Sequence, residues 1–151
     1  MSVAVEIRDA LKRKHSSYRR GAGGILFFEL ATGTGYSLGD PNRIDAFHME
    51  DMPSKGFRRT SYEIKISRSD FAREVRSPLK RRAAMRVSNQ FYFVTPEGML
   101  KPEEIPIECG LMELVGRYLK VKVIAPFRDG QPSSWPFVAA IARRAVKGDA
   151  A

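Results

Sequence analysis

Three residues divided between two short segments could do hydrolytic chemistry. Asp45 lies in Arg43-Ile44-Asp45-Ala46-Phe47, and Glu63 and Lys65 lie in Tyr62-Glu63-Ile64-Lys65-Ile66. Both segments have the apolar alternation of a half-buried strand. Residues two apart in a strand share a face, so Glu63 and Lys65 project together while Tyr62, Ile64 and Ile66 face the other way. An acid beside a lysine, with a second acid on a preceding strand, supplies the parts needed to hold Mg²⁺ and direct a water at a phosphodiester. Mn²⁺ suits the same oxygen donors.

The charge of the chain points in the same direction. Lys and Arg number 26 against 17 Asp and Glu, a net charge of +9, and the excess is concentrated. Lys55 to Arg86 holds 11 basic and 3 acidic residues around the Glu63/Lys65 pair. A field of this kind attracts phosphate without regard to sequence and weakens as salt rises. The candidate phosphate contacts are Arg43, Lys55, Arg58, Arg59, Arg68, Lys80, Arg81 and Arg82. DNA is the expected partner, and charge alone does not exclude RNA.

Length and composition set the remaining bounds. A chain of 151 residues, 43% of them hydrophobic, is expected to form one domain, 1–151, with a real core and no disulfide staples. Its one cysteine, Cys109, excludes an internal disulfide and a multi-cysteine zinc site. No apolar run approaches the roughly 20 residues of a membrane span, and no secretory h-region is visible. A cytoplasmic protein without a membrane partner is therefore expected.

The elements that must position the three residues follow from period and punctuation. Apolar residues at near-helical spacing predict a helix from Val3 to His15, broken by Gly21-Ala22-Gly23-Gly24. Ile25 to Ala31 is a short apolar run containing Glu29, read as a buried strand. Thr32-Gly33-Thr34-Gly35 then reads as a turn, followed by a strand over Arg43 to Met49. After the strand through Glu63 and Lys65, Ser67 or Ser69 caps a helix that runs to about Val75. Ser77-Pro78 restarts it as far as Val87. Asn89 to Thr95 is a central strand stopped by Pro96. Leu111 to Val115 and Tyr118 to Ile124 form a hairpin at Gly116-Arg117. Trp135 to Val146 is a last amphipathic helix. The expectation is an α/β fold: an αβββαβ core whose mixed sheet is flanked by helices, with a C-terminal hairpin and helix. Three antiparallel strands come first, followed by a crossover to a parallel strand at Phe91 to Val94.

This order of elements, with Asp45 and Glu63-Ile64-Lys65, resembles the PD-(D/E)XK nuclease superfamily, which has the restriction-endonuclease-like fold. The strings Arg43-Ile44-Asp45-Ala46, Glu63 through Phe71, Asn89 through Val94 and Glu104-Ile105-Pro106…Gly110-Leu111 resemble a branch of small bacterial and phage proteins. That branch is related to the MmcB-type DNA-repair proteins. The likeness spans about Glu29 to Val115; Ile44 stands where the superfamily name has proline. It implies that Asp45, Glu63 and the Ile64 carbonyl bind the metal, while Lys65 orients water and offsets transition-state charge. A further catalytic acid is implied as well. Glu29 is favoured because an unpaired carboxylate in an apolar run would be costly, and Glu6 is the other candidate.

Other residues have structural readings. His48 is a core or surface histidine, and Cys109 is a small apolar residue. Phe91, Tyr92 and Phe93 are sheet packing. Two functions compete. One is a metal-dependent DNA nuclease in repair or in phage or mobile-element DNA processing; the other is a non-catalytic nucleic-acid-binding or assembly module on the same fold. So small a chain leaves little room for sequence reading, so specificity is expected from DNA structure, a homodimer or a protein partner.

Overall fold

Helix α1 (Val3–His15) begins at Ser2, whose hydroxyl accepts the Val5 N–H and satisfies one of the helix's open donors. The computed structural model describes residues 1–16, 23–33 and 43–148. Gly21 and Ala22 of the predicted helix break, and Thr34 and Gly35 of the predicted turn, lie outside them. Strands β1 (Ile25–Ala31), β2 (Arg43–Met49) and β3 (Arg59–Ile64) follow, then helices α2 (Arg68–Val75) and α3 (Pro78–Arg86). Strand β4 (Gln90–Pro96) precedes the hairpin of β5 (Gly110–Val115) and β6 (Tyr118–Val123), and helix α4 (Trp135–Val146) closes the described chain. Short 3₁₀ turns at Pro53–Lys55 and Pro102–Glu104 were not expected from the sequence; each starts with proline, whose fixed φ suits a helical first position.

The six strands form one sheet in chain order. β1, β2 and β3 are a mutually antiparallel meander, β4 and β5 add in parallel, and β6 returns antiparallel. The β3–β4 pair needs a long connection, and α2 and α3 supply it. The hairpin turns on Gly116, with φ 63° at that position alone among the two turn residues, as a two-residue II′ loop requires. This is the mixed sheet flanked by helices that the pattern of elements predicts.

Strand alternation divides the core into two layers. Ile7, Ala10 and Leu11 of α1 pack with Phe28, Ala46, Tyr62, Tyr92 and Val94 on one face. Phe71 of α2, Ala84 of α3 and Phe137 of α4 pack with Phe47, Phe91, Phe93 and Leu111 on the other. Cys109 is buried in this second layer, as an apolar residue would be.

Candidate carboxylate–lysine site

The ladder between β2 and β3 pairs Ala46 with Tyr62, so the next step toward the strand ends sets Asp45 beside Glu63. There the ladder changes character: the Ile64 N–H donates to the Asp45 side chain, at 2.8 Å from Oδ2. Lys65 falls just beyond β3, whereas the sequence reading placed it inside the strand. Its backbone N–H still reaches the Val94 carbonyl at 3.0 Å, which prolongs the pairing and keeps its side chain with that of Glu63. Lys65 Nζ stands 3.4 Å from Glu63 Oε1 and 3.9 Å from Oε1 of Glu74 on α2. Lys80 of α3 approaches the other Glu74 oxygen at 4.0 Å.

A backbone irregularity shapes the outer side of the site. Regular alternation would put Leu30 and Phe27 on opposite faces, and likewise Ile44 and Phe47. All four lie in one apolar layer, so β1 and β2 both change phase between those residues. Glu29 and Asp45 face each other at that point, because Phe28 pairs with Ala46 and Leu30 with Ile44. Glu29 takes φ 54°, a left-handed conformation uncommon outside glycine. Its side chain is exposed, which corrects the expectation of a costly buried carboxylate: β1 is an edge strand, and the phase change turns residue 29 to solvent. Glu29 nonetheless sits close enough to raise the proton affinity of Asp45. Glu6 is exposed on α1, whose buried residues pack on the opposite layer of the sheet. The structure therefore places Glu29 beside the cluster and Glu6 away from it.

The cluster holds more negative charge than its lysines balance. Burial, reinforced by the Asp45 charge and opposed by Lys65, pushes the Glu63 carboxyl up to about 8. Asp45 is raised as well, first by burial, against the hydrogen bond from Ile64 and with Glu29 adding to the rise. Glu63 and Glu74 are only 7% and 5% exposed, so solvent does little to relieve the repulsion. The space between Glu63, Glu74, Lys80 and Arg81 encloses about 10 Å³, the room of a single water. Among the described residues, no group of three or more His, Cys, Asp or Glu side chains is arranged to hold an ion. Glu74 escaped the sequence reading. The available signal was its position three residues after Phe71, on the buried side of an otherwise charged helix.

The expected phosphate contacts disperse. Arg43 is exposed and donates to the Glu29 carbonyl; Lys80 and Arg82 are exposed along α3. Arg68 is exposed and holds both oxygens of Glu104, with a further bond to the Met99 carbonyl. Two candidates are bonded within the protein. Arg59 is a strut whose guanidinium donates to the Val87 and Phe57 carbonyls. Arg81 is 4% exposed and donates to the Glu74 carbonyl and to Glu108. Lys55 and Arg58 line a different cleft, with Lys14, His15 and His48, so density along the chain overstated density around Glu63.

No protein-family model matches this chain, and no curated protein matches it significantly. Among solved structures, it is similar to a protein of unknown function from Silicibacter pomeroyi. That match has a TM-score of 0.68 and 18% sequence identity, and covers 98% of this chain and 87% of the other. A likeness at that identity supports the mixed α/β fold and carries no activity with it.

Proposed function

We propose that the protein is a metal-dependent nuclease hydrolysing DNA phosphodiester bonds, with the carboxylate–lysine cluster as its active site. One observation carries this reading: the Lys65 ammonium lies 3.4 Å from the Glu63 carboxylate, and Asp45 is fixed beside Glu63 by the Ile64 N–H. A surface that only binds polyanions needs positive charge and gains nothing from buried acids. The resemblance to the PD-(D/E)XK superfamily assigns these same residues, and repair or processing of phage or mobile-element DNA is the setting it suggests.

The donors suit Mg²⁺ or Mn²⁺. Mg²⁺ takes oxygen ligands, keeps several waters and is commonly held by only one or two carboxylates, here Asp45 and Glu63, with the Ile64 carbonyl as a third donor. When bound, the ion supplies Lewis-acid polarisation of a phosphoryl oxygen. Lys65 orients the attacking water and offsets the charge that builds on the phosphorus oxygens in the transition state. Asp45 accepts the Ile64 N–H through Oδ2, which holds its carboxylate in place and leaves Oδ1 for the ion.

A non-catalytic nucleic-acid-binding module is the second reading. The water-sized space beside Glu63, walled by Lys80 and Arg81, favours it, because little room remains there for a scissile phosphate. One experiment decides between them: incubation with duplex, single-stranded, flap and branched DNA and with RNA, in Mg²⁺, Mn²⁺ or EDTA. The nuclease cuts at least one DNA substrate with metal and none in EDTA. No metal-dependent cleavage of any substrate leaves the binding module.

A further inference from the structure

The outer side of α3 carries arginines that the carboxylate site does not use. Arg82 and Arg86 are exposed and one helical turn apart, so they point along the same side. Buried Arg81 is pinned between the Glu74 carbonyl and Glu108 Oε1, each at 3.1 Å, while its Nε finds no partner. Arg128 returns from the segment after β6. Its backbone N–H reaches the Asn89 carbonyl at 3.0 Å, and its guanidinium donates to the Met85 carbonyl of α3 at 3.3 Å. Its Nε, also buried, is without a partner.

These four arginines line a cleft of about 500 Å³, and the carboxylates beside them are Glu108 and Asp129. Four positive and two negative groups give the cleft a formal charge of 4 − 2 = +2. Arg81 also walls the space beside Glu63, so the two sites share that side chain as part of their walls.

We propose that this cleft binds a phosphomonoester. Guanidinium forks match phosphate oxygens in pairs, and two of the four here are already oriented by backbone carbonyls, so binding has only Arg82 and Arg86 left to order. A monoester carries a charge of about −1.5 to −2 near neutral pH, which balances the cleft, whereas a diester brings only about one negative charge. The volume is that of a small-ligand site. A concave pocket of this kind receives a chain end more readily than a strand that must pass through it. Resting on the nuclease reading, the ligand is the terminal phosphate of a nucleic-acid strand whose next phosphodiesters lie toward Asp45 and Glu63.

Fluorescence anisotropy in EDTA tests this without cleavage, using one single-stranded oligonucleotide with a 5′-phosphate, a 3′-phosphate or hydroxyl ends. One phosphorylated form binds about tenfold tighter than the hydroxyl form, the scale of a charge-assisted contact. The double variant Arg82→Glu/Arg86→Glu abolishes the difference. Arg73→Glu on α2, 76% exposed in its side chain and outside the cleft, weakens all three forms alike. Competition by a nucleoside monophosphate that erases the difference shows that a free monoester suffices and supports the site. Equal affinity for all three forms, or discrimination that survives in the double variant, overturns it. Because the assay contains no metal, that failure leaves the cleavage reading standing, and a protein that never cuts can still pass it.

Discussion

Strands β2 and β3 carry two buried polar clusters, one on each face of the sheet. On the α1 face, His48 and Tyr62 meet His15: the imidazole rings stack at 3.7 Å between centroids and 13° between planes. Each polar tip is matched. His15 Nε2 lies 2.9 Å from the Tyr62 hydroxyl, and His48 Nε2 lies 2.7 Å from the Gly23 carbonyl. Burial lowers both imidazoles, His15 to about 3, so near neutral pH the cluster is uncharged and satisfied. Gly24 makes room for it, since a Cβ there would come within 2.3 Å of the Met49 carbonyl and 2.8 Å of His48 Nε2. Across the sheet, Asp45, Glu63 and Glu74 share two lysines, and the carboxyls of Asp45 and Glu63 are driven up rather than down. A satisfied network of neutral hydrogen bonds specifies structure, whereas buried carboxyls packed so closely that one holds its proton near neutral pH mark a candidate ligand site. On these grounds the histidine cluster is structural and the carboxylate cluster is the candidate site, even though histidines are usually the first suspects.

The largest effect that would break this comparison is catalytic. Lys65→Ala removes the ammonium and leaves Asp45, Glu63 and their contact with Ile64 in place. Metal and DNA binding persist, while cleavage falls by on the order of 10²–10³-fold. Single-turnover kinetics at saturating metal measure this, and an undiminished rate moves the chemistry elsewhere.

Stability against pH is the next test, and the two clusters act in opposite directions. Glu63 has a folded value of about 8 against an ordinary 4.5, so between those values the folded chain holds a proton that the unfolded chain has released. Stability from this group is therefore lost as pH rises from about 4.5 to 8, on the order of a few kcal/mol. In metal-free buffer Glu63→Gln flattens that limb, as urea unfolding at pH 5 and pH 8 would show. His15 is the mirror case. Its folded value of about 3 lies below the ordinary 6.5, so stability is present above 6.5 and lost as pH falls toward 3. The two limbs offset each other between about 4.5 and 6.5, which predicts a plateau there with losses on either side. His15→Phe keeps a ring in the stack, reduces the acid limb and leaves the Glu63 slope uncovered, so stability falls with rising pH already from about 4.5. A variant with an unchanged acid limb would remove the imidazole from the account.

The difference between the clusters also explains what could be read from the sequence. Helix and strand positions followed from period and capping, as in α1, β1, β2 and α4, because each element's pattern is local. Asp45, Glu63 and Lys65 were legible because Glu63 and Lys65 are two apart along extended chain at the end of β3 and Asp45 lies in the strand that pairs with it. Glu74 left only its spacing from Phe71 as a local signal, since its burial depends on where α2 packs after the crossover. The same holds for Arg81 and Arg59: nothing local distinguishes an arginine anchored on backbone carbonyls from one in solvent. The His15–His48–Tyr62 contact joins α1, β2 and β3, and only the tertiary fold brings these residues together.

The smallest predicted effect concerns Glu29, where the comparison is least sharp. It faces Asp45 and raises its proton affinity, yet it is exposed and held at φ 54°. Glu29→Gly releases the left-handed strain, of order 1 kcal/mol, and gives back a similar amount as unfolded-chain entropy, so stability changes by less than about 1 kcal/mol. Its carboxylate acts on Asp45 through solvent, where charges are strongly screened. If Glu29 only tunes the field, both Glu29→Gly and Glu29→Gln reduce cleavage by less than about tenfold, far short of Lys65→Ala. Calorimetric titration with Mn²⁺ distinguishes the remaining case. Unchanged metal affinity in Glu29→Gln keeps the residue at the edge of the cluster. A loss equal to that of Asp45→Ala makes it a third carboxylate ligand, and the left-handed turn at the strand edge would then be the device that delivers it.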